Sequence, residues 1–281
     1  MGRFTGVLIA SDFDNTLIYT EDALRRGEPV PPLSEENRKA LEYFMAEGGH
    51  FAISTGRALP AFLKYVDQIP MNAPGVVCNG AALYDFEKEE YLEITMLDAE
   101  ARSRGQLMLD TFPDLAIEAY HIDNVIHAVH PNEITRSHER ITKVGTEVKD
   151  SLLEVPLPLG KLLFEGPEET LEQVKALLEE KGWAQDYELI SSGRNLLEMT
   201  VRGASKGSMV RRLAAHLGID MKDVYCVGDQ ANDLSMLAVA ATGFAPANCS
   251  DVVRASGAVI VKDARESALA DVIRILKEKY V

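Results

Sequence analysis

The stretch that decides the fold is VLIASDFDNTL at residues 7–17, in which an apolar run ends in two aspartates. An apolar run of this length before acidic residues is typical of a buried strand that delivers carboxylates at its carboxyl end. Side chains alternate along a strand, so we expect Asp12 and Asp14 to share one side and Phe13 to turn to the other. Two carboxylates this close repel each other, which predicts a cation, a shared proton or both at this site.

The two residues that follow suit the same site. Asn15 tolerates the positive φ of a tight turn, and Thr16 adds a hydroxyl. The combination favours a carboxylate nucleophile, a neighbouring acid/base and a hard divalent metal. The alternative interpretation is a helix N-cap after an ordinary strand, since Asp, Asn and Thr are all common at that position.

Composition restricts the class of protein. The chain has 281 residues, 46% of them hydrophobic and 26% charged, which is enough for one large or two smaller folded domains. A net charge of -15 disfavours a nucleic-acid-binding surface and gives no long-range attraction for anions, so a phosphate site must be local and metal-assisted. No window predicts a membrane span and the N-terminus lacks a cleavable signal, so we expect a cytoplasmic protein.

The order of predicted elements indicates a core with an insertion. Residues 7–78 alternate strand and helix as βαβαβ, which is typical of a doubly wound parallel sheet. The order becomes irregular from about residue 81, where residues 119–130 and 189–201 favour paired strands of an α+β unit. Regular alternation returns near residue 205. The sequence therefore predicts an α/β core at residues 1–82 and 198–281, interrupted by an α+β domain at residues 83–197.

A second strand also ends in acids. The apolar residues 224–227 lead through Gly228 into Asp229, Asn232 and Asp233. If this strand and the first are central and parallel, their aspartates converge at the carboxyl edge of the sheet, where ligands bind. Such convergence requires a cation, and Mg²⁺ prefers a few carboxylates with water and phosphate oxygens. The alternative is a capped helix start at Asp229 or Asn232.

Two shorter segments fit the same edge. Thr55, Gly56 and Arg57 follow a predicted strand, where a hydroxyl and backbone N–H groups form a phosphate cradle. Arg57 would bind substrate or pair with a local acid. Lys206 opens the helix after the insertion, and a lysine there opposes the helix dipole, which indicates a compensating anion. An ordinary exposed lysine is the alternative.

These four segments resemble, in order, the four motifs of haloacid dehalogenase-like hydrolases. The insertion resembles the type IIB cap of the Cof-like sugar phosphatase subgroup, and Cys78-Asn79-Gly80-Ala81 is similar to its junction of core and cap. The resemblance covers nearly the whole chain. One departure is Asn15, where the subgroup most often carries glycine; asparagine is the next best residue at positive φ.

The resemblance implies phosphoryl transfer through a covalent aspartyl-phosphate on a small phosphorylated metabolite, first of all a sugar phosphate. It implies that Asp12 is the nucleophile and that Asp14 protonates the leaving group and then activates water. Mg²⁺ would be held by a carboxylate oxygen of Asp12, by the carboxylate of Asp229 and by the backbone carbonyl of Asp14. Asp233 would not bind the ion but would orient its water ligands or Lys206. The remaining implied contacts to the phosphoryl group come from Thr55, Gly56, Arg57, Lys206 and Asn232.

Two alternatives and the source of specificity stay open at this point. A phosphotransferase or mutase would use the same aspartate with a sugar hydroxyl as acceptor, and a sugar-phosphate sensor would bind without catalysis. Specificity is expected from the insertion, where the histidines lack a metal-ligand spacing and predict no zinc site. The candidates there are Tyr120, His121, Asn124, His127, His130 and Arg194.

Overall fold

The computed structural model describes residues 2–121 and 125–280. The helices are Glu21–Arg26 (α1), Glu35–Ala46 (α2), Leu59–Leu63 (α3), Ala99–Thr111 (α4), Glu133–Thr142 (α5), Glu168–Glu180 (α6), Lys206–Leu217 (α7), Leu234–Val239 (α8), Asp251–Arg254 (α9) and Ala268–Lys279 (α10). The strands are Leu8–Ser11 (β1), His50–Ile53 (β2), Gly75–Val77 (β3), Ala82–Asp85 (β4), Glu90–Ile94 (β5), Ala116–His121 (β6), Ile126–Val129 (β7), Glu147–Lys149 (β8), Leu159–Glu165 (β9), Tyr187–Gly193 (β10), Leu196–Val201 (β11), Val224–Val227 (β12), Thr242–Pro246 (β13) and Val259–Val261 (β14). No helix within these described ranges is long and apolar enough to cross a membrane.

The chain divides into two compact units. The first contains Met1–Gly56, Phe62–Leu92 and Ser205–Val281, and the second contains Arg57–Ala61 and Glu93–Ala204. The units therefore change at 92/93 and 204/205, whereas the sequence placed the boundaries at 82/83 and 197/198. The first difference arises because β4 pairs antiparallel with β3 and so stays with the first unit. The role of the second unit as a cap stays a prediction.

The first unit is built on a five-stranded sheet with the order β14-β13-β12-β1-β2. All four strand pairs are parallel, as the doubly wound pattern predicts. The chain leaves β1 for β2 on one side and later enters β12 on the other, which makes the carboxyl end of β1 a topological switch point. Strand β3 meets this sheet through one parallel bridge, Ser54 to Val76, before it turns into the hairpin with β4.

Alternation along β1 explains its continuous apolar run. Ile9 packs on one face in a cluster that includes residues of α2 and α10, such as Phe44 and Val272. Leu8 and Ala10 pack on the other face with residues of α7 and α8. Because helices cover both faces, every position of the strand is buried and none needs to be polar. Catalytic and binding residues are therefore expected only at the ends of the strands.

The second unit is an α+β structure on a six-stranded sheet with the order β10-β11-β9-β6-β7-β8. The predicted strand pairs are confirmed: β6 with β7 and β10 with β11, both antiparallel. One face of this sheet is apolar and packs with α4 and α6, through residues such as Ile117, Phe164, Met108 and Val174. The alternate positions of β6, β9 and β11 carry buried polar side chains instead, namely Glu118, Tyr120, Lys161, Glu165 and Glu198.

Candidate active site

The end of β1 places Asp12 at the switch point of the first unit. Its backbone N–H donates to the carbonyl of Val227 at 2.8 Å, so the end of β12 holds it directly. The side chain of Asp12 is only 9% exposed. Phe13 turns to the opposite side and packs edge-on against Phe62 in the apolar core. The alternation predicted from the sequence is therefore present at this strand end.

A tight turn after Asp12 positions Asp14. Asn15 has φ 55°, as predicted, and its N–H donates to the Ile18 carbonyl at 2.7 Å. The Asn15 side-chain oxygen accepts the backbone N–H groups of Thr20 and Glu21 at 3.1 and 3.0 Å. These bonds bring the Thr20 hydroxyl to Asp14, where it donates to Oδ1 at 2.6 Å. Asp14 is thereby fixed as a half-buried carboxylate beside Asp12.

The end of β12 brings the second pair of aspartates to the same edge. Asp229 accepts the Thr16 hydroxyl on Oδ1 at 2.9 Å and the Gln230 side-chain amide on Oδ2 at 3.2 Å. Asp233 accepts the N–H groups of Asp229 and Gln230 on Oδ2, at 2.9 and 3.0 Å. Gly228 is required here, because a Cβ at this position would lie 2.4 Å from the Asp233 side chain.

Lys206 joins the two strand ends. Its Nζ donates to Asp12 Oδ1 at 2.7 Å and to Asp233 Oδ1 at 2.6 Å, and its side chain is completely buried. The alternative of an exposed lysine is therefore wrong. Ser205 caps α7 through reciprocal hydrogen bonds with Ser208, which fixes the first turn that carries the lysine. The two carboxylates compensate the unfavourable position of a cation at a helix N-terminus.

The carboxylates of this cluster carry more negative charge than Lys206 alone can balance. Burial raises the pKa of Asp12, an effect that Lys206 only partly offsets, and the neighbouring aspartates raise it further. Burial and repulsion from Asp233 raise the pKa of Asp229 to about 7. Burial lowers the pKa of Lys206, but Asp12 and Asp233 outweigh it and the pKa is raised overall. The lysine therefore stays charged while the carboxylates resist ionisation together.

The donor set fits a hard divalent cation. Oxygens of Asp12, Asp229 and Asp233 all lie within 4.8 Å of one another. Both oxygens of Asp233 already accept protein hydrogen bonds, whereas Asp12 Oδ2 accepts none from the described residues. Asp12 Oδ2 is therefore the oxygen best placed to bind the ion, and Asp229, whose two oxygens accept, within the described ranges, only the Thr16 hydroxyl and the Gln230 side-chain amide, is the second candidate ligand, since carboxylate oxygens are the donors that Mg²⁺ prefers. Asp233 instead fixes Lys206 and the turn.

The end of β2 adds a hydroxyl and a close backbone approach. Thr55 is buried, and its carbonyl accepts the N–H of Asn79 at 3.1 Å. A Cβ on Gly56 would lie 3.0 Å from the Asn79 side chain, and that side chain accepts the Asn232 amide at 2.9 Å. Asn79 thus links the Thr55-Gly56 turn to Asn232.

Sequence reasoning missed two residues that organise this site. Asn79 was placed in the junction segment without a role; its signal in the sequence is the Asn79-Gly80 pair, two residue types that tolerate the positive φ that the structure shows at both positions. Thr20 lies six residues beyond Asp14 and carried no signal in the sequence. Its contact depends on how the Asn15 turn folds back.

The other predicted residues lie in the second unit. Arg57 opens that unit and is half-buried. Of the specificity candidates, Asn124 lies outside the described residues. Tyr120 is buried and donates to Glu118 at 2.7 Å, and Arg194 forms an exposed ion pair with Glu168. The remaining candidates are His121 and His127, whose rings meet edge-on at 6.3 Å, and the exposed His130.

Comparisons with known proteins place these features in context. The profile of the family described as haloacid dehalogenase-like hydrolase matches residues 9–273. YxeH of Bacillus subtilis is 29% identical over 253 residues, which cover 86% of this chain and 87% of YxeH. The B. subtilis 5-amino-6-(5-phospho-D-ribitylamino)uracil phosphatase YwtE is 25% identical over 300 residues, covering 97% and 99%. The solved structure of the subclass IIB sugar phosphatase BT4131 has a similar fold, with a TM-score of 0.81 at 19% identity, covering 96% and 98%.

Proposed function

Because the chain belongs to the haloacid dehalogenase-like hydrolases, we propose that it is an Mg²⁺-dependent phosphatase of a small phosphorylated metabolite, first of all a sugar phosphate. One observation carries the proposal. Asp12 is held by Lys206 through one oxygen, while its other oxygen accepts no hydrogen bond from the described residues. A buried carboxylate that is oriented and paired on one side is suited to attack phosphorus with the other.

In the proposed reaction, Asp12 attacks the substrate phosphorus in line with the leaving oxygen. The P–O bond to the alcohol breaks as the bond to the Asp12 carboxylate forms, which gives an aspartyl-phosphate. Water then attacks the phosphorus of this intermediate and restores the carboxylate. Lys206 neutralises Asp12 from 2.7 Å during the approach of the two anions.

We assign the proton transfers to Asp14. It donates a proton to the departing alcohol oxygen and later accepts one from the attacking water. The hydrogen bond from Thr20 at 2.6 Å keeps its carboxyl group in one orientation for both steps. Asp14 is half-buried, so it sits where substrate and water can reach it.

The remaining groups contact the phosphoryl oxygens, another part of the substrate or the metal ion. We propose that Thr55, the Gly56 backbone, Lys206 and Asn232 contact the phosphoryl oxygens, with Arg57 as a further substrate contact. Asp12, the backbone carbonyl of Asp14 and Asp229 would hold Mg²⁺. When bound, the ion neutralises charge where two anions meet.

Specificity is assigned to the second unit, as a cap, because the residues named in the first unit recognise only phosphate and metal. The relatives support a small substrate: YwtE is named for a phosphorylated ribitylaminouracil, and BT4131 is a sugar phosphatase. A soluble metabolite also fits the cytoplasmic location predicted from the sequence.

The test is a phosphate-release screen over phosphorylated sugars, polyols and cofactor precursors, with Mg²⁺ and after metal removal. The wild type should release phosphate only with the metal, and Asp12→Asn should be inactive while keeping its circular dichroism spectrum. Asp67→Asn, an exposed change, serves as the matched control. Full activity of Asp12→Asn would refute the assignment, and formation of a new sugar phosphate in place of free phosphate would identify a phosphotransferase.

A further inference from the structure

A second cluster of metal-type ligands lies within the second unit, far along the chain from the motifs. Glu118 on β6, Glu165 on β9 and His138 on α5 bring their side chains together. His138 Nδ1 lies 3.0 Å from Glu118 Oε2 and 3.5 Å from Glu165 Oε1. Both carboxylates are buried, and His138 keeps 20% of its side chain exposed, which leaves a route for an ion. Three elements thus converge on one point.

One oxygen of this cluster has no partner among the described residues. Glu165 is completely buried, and its Oε2 accepts the Thr135 hydroxyl. Its Oε1 accepts no hydrogen bond and points at His138. A buried carboxylate oxygen without a donor is costly, so its presence in a native fold requires a ligand or a proton.

The charges around the cluster leave room for a dication. Lys161 pairs with Glu198 at 3.0 Å, and both side chains are buried. Lys161 is held by Glu198 in this pair, and the group that lies between Glu118 and Glu165 is His138, whose Nδ1 is hydrogen-bonded to Glu118 Oε2. Two buried carboxylates against one imidazole leave the cluster short of positive charge.

We propose that Glu118, His138 and Glu165 form a binding site for a divalent transition-metal ion, Zn²⁺ being the best match. In a tetrahedral zinc site with bonds of about 2.0–2.1 Å, neighbouring donor atoms lie roughly 3.3 Å apart. The observed separations of 3.0 and 3.5 Å bracket that value. An imidazole among the donors favours Zn²⁺ over Mg²⁺ or Ca²⁺.

The groups behind the ligands support a built site. Tyr120 donates its hydroxyl to Glu118 at 2.7 Å, and Thr135 donates to Glu165. Hydroxyls that bind ligating carboxylates fix their orientation and tune their affinity for the ion. Thr135 and His138 are three residues apart on α5 and therefore face the sheet together. A bound ion would tie α5 to the centre of the sheet, so the site is structural and independent of the proposed reaction.

The metal-free chain of 281 residues is titrated with Zn²⁺ by calorimetry. Since the acidic cluster of the first unit is itself proposed to bind a cation, Asp229→Asn is used as the background. We expect the Asp229→Asn variant to bind one Zn²⁺ per chain. Adding His138→Gln or Glu165→Gln to this variant should lower the affinity for that Zn²⁺ at least about tenfold. The matched control, His216→Gln, changes an exposed histidine of α7 and should leave the equivalent intact. Loss of all binding in Asp229→Asn alone, or unchanged binding in His138→Gln, would overturn the proposal.

A second measurement applies if the variants fold poorly. Crystals of the wild type grown with Zn²⁺ and excess Mg²⁺ should show an anomalous zinc peak between Glu118, His138 and Glu165. Zinc found only at Asp12 and Asp229, with none at the second cluster, contradicts the site. That outcome would assign the missing charge to a proton shared by Glu165 and His138.

Discussion

Gly80→Ala should disable the active site of the first unit without replacing any residue of its charged cluster. Gly80 has φ +98°, and a Cβ there would lie 2.2 Å from the backbone carbon and oxygen of Ser205 and 2.7 Å from the N of Lys206. These are backbone atoms at the start of α7, which cannot rotate away as a flexible side chain can. The junction segment and the lysine-bearing helix therefore touch with no room for a methyl group.

The expected magnitude follows from these distances. Ordinary contact begins at 3.4 Å, so the 2.2 Å approach is 1.2 Å too short and the start of α7 must retreat by about that much. Lys206 holds Asp12 at 2.7 Å and Asp233 at 2.6 Å, and a shift of this size breaks both bonds unless the side chain compensates. A displacement of about 1 Å costs roughly 10²-fold in rate. We expect a further loss of about 2–5 kcal/mol in stability from positive φ and overpacking together.

The matched control is Gly218→Ala, at the other end of the same helix. Gly218 also has positive φ, +68°, but a Cβ there meets nothing within 4 Å. This substitution should lower the free energy of unfolding by only about 1–2 kcal/mol, the cost of placing alanine at positive φ, and should leave kcat unchanged. The assay is kcat on p-nitrophenyl phosphate at saturating Mg²⁺, with urea unfolding followed by circular dichroism. If Gly80→Ala keeps the kcat of Gly218→Ala, the reasoning about Lys206 is wrong.

Three further outcomes test the roles of individual groups. Lys206→Met leaves Asp12 and Asp233 buried without their cation. It should lower the free energy of unfolding in urea by about 3–5 kcal/mol and lower kcat by at least about 10²-fold. A variant with normal kcat would show that the lysine has no part in the mechanism. Thr20→Val frees the Asp14 carboxyl and should lower kcat about tenfold on an alkyl phosphate, but less on p-nitrophenyl phosphate, whose leaving group needs no proton. An equal loss on both substrates would speak against a proton-transfer role for Asp14. Removal of divalent metal with EDTA should abolish phosphate release and added Mg²⁺ should restore it, whereas activity that persists in EDTA would refute metal dependence.

The sequence predicted the framework of the site because its signals are local. The β1 run and the acids after it lie within one short stretch, and Asn15 took the positive φ expected of it. The family predicted from the four motifs is confirmed. Order and spacing along the chain were sufficient for these features.

What could not be predicted depends on contacts between distant elements. Asn79 acquires its place only when the junction segment meets Asn232, and Thr20 only when the turn after β1 folds back on Asp14. The two units change at 92/93 and not at the expected 82/83, because β4 forms a hairpin with β3 and so belongs to the first unit. The cluster of Glu118, His138 and Glu165 likewise has no short ligand motif, since two strands and a helix supply its members.

Transfer of the phosphoryl group to Asp12 can be measured directly by trapping the intermediate. The wild type is mixed with p-nitrophenyl phosphate and Mg²⁺, quenched in acid within milliseconds, digested and examined by peptide mass spectrometry. We expect a phosphoryl group on the peptide containing Asp12, localised to that residue and absent from Asp12→Asn. Release of phosphate with no label on Asp12, or a label on another residue, would contradict it.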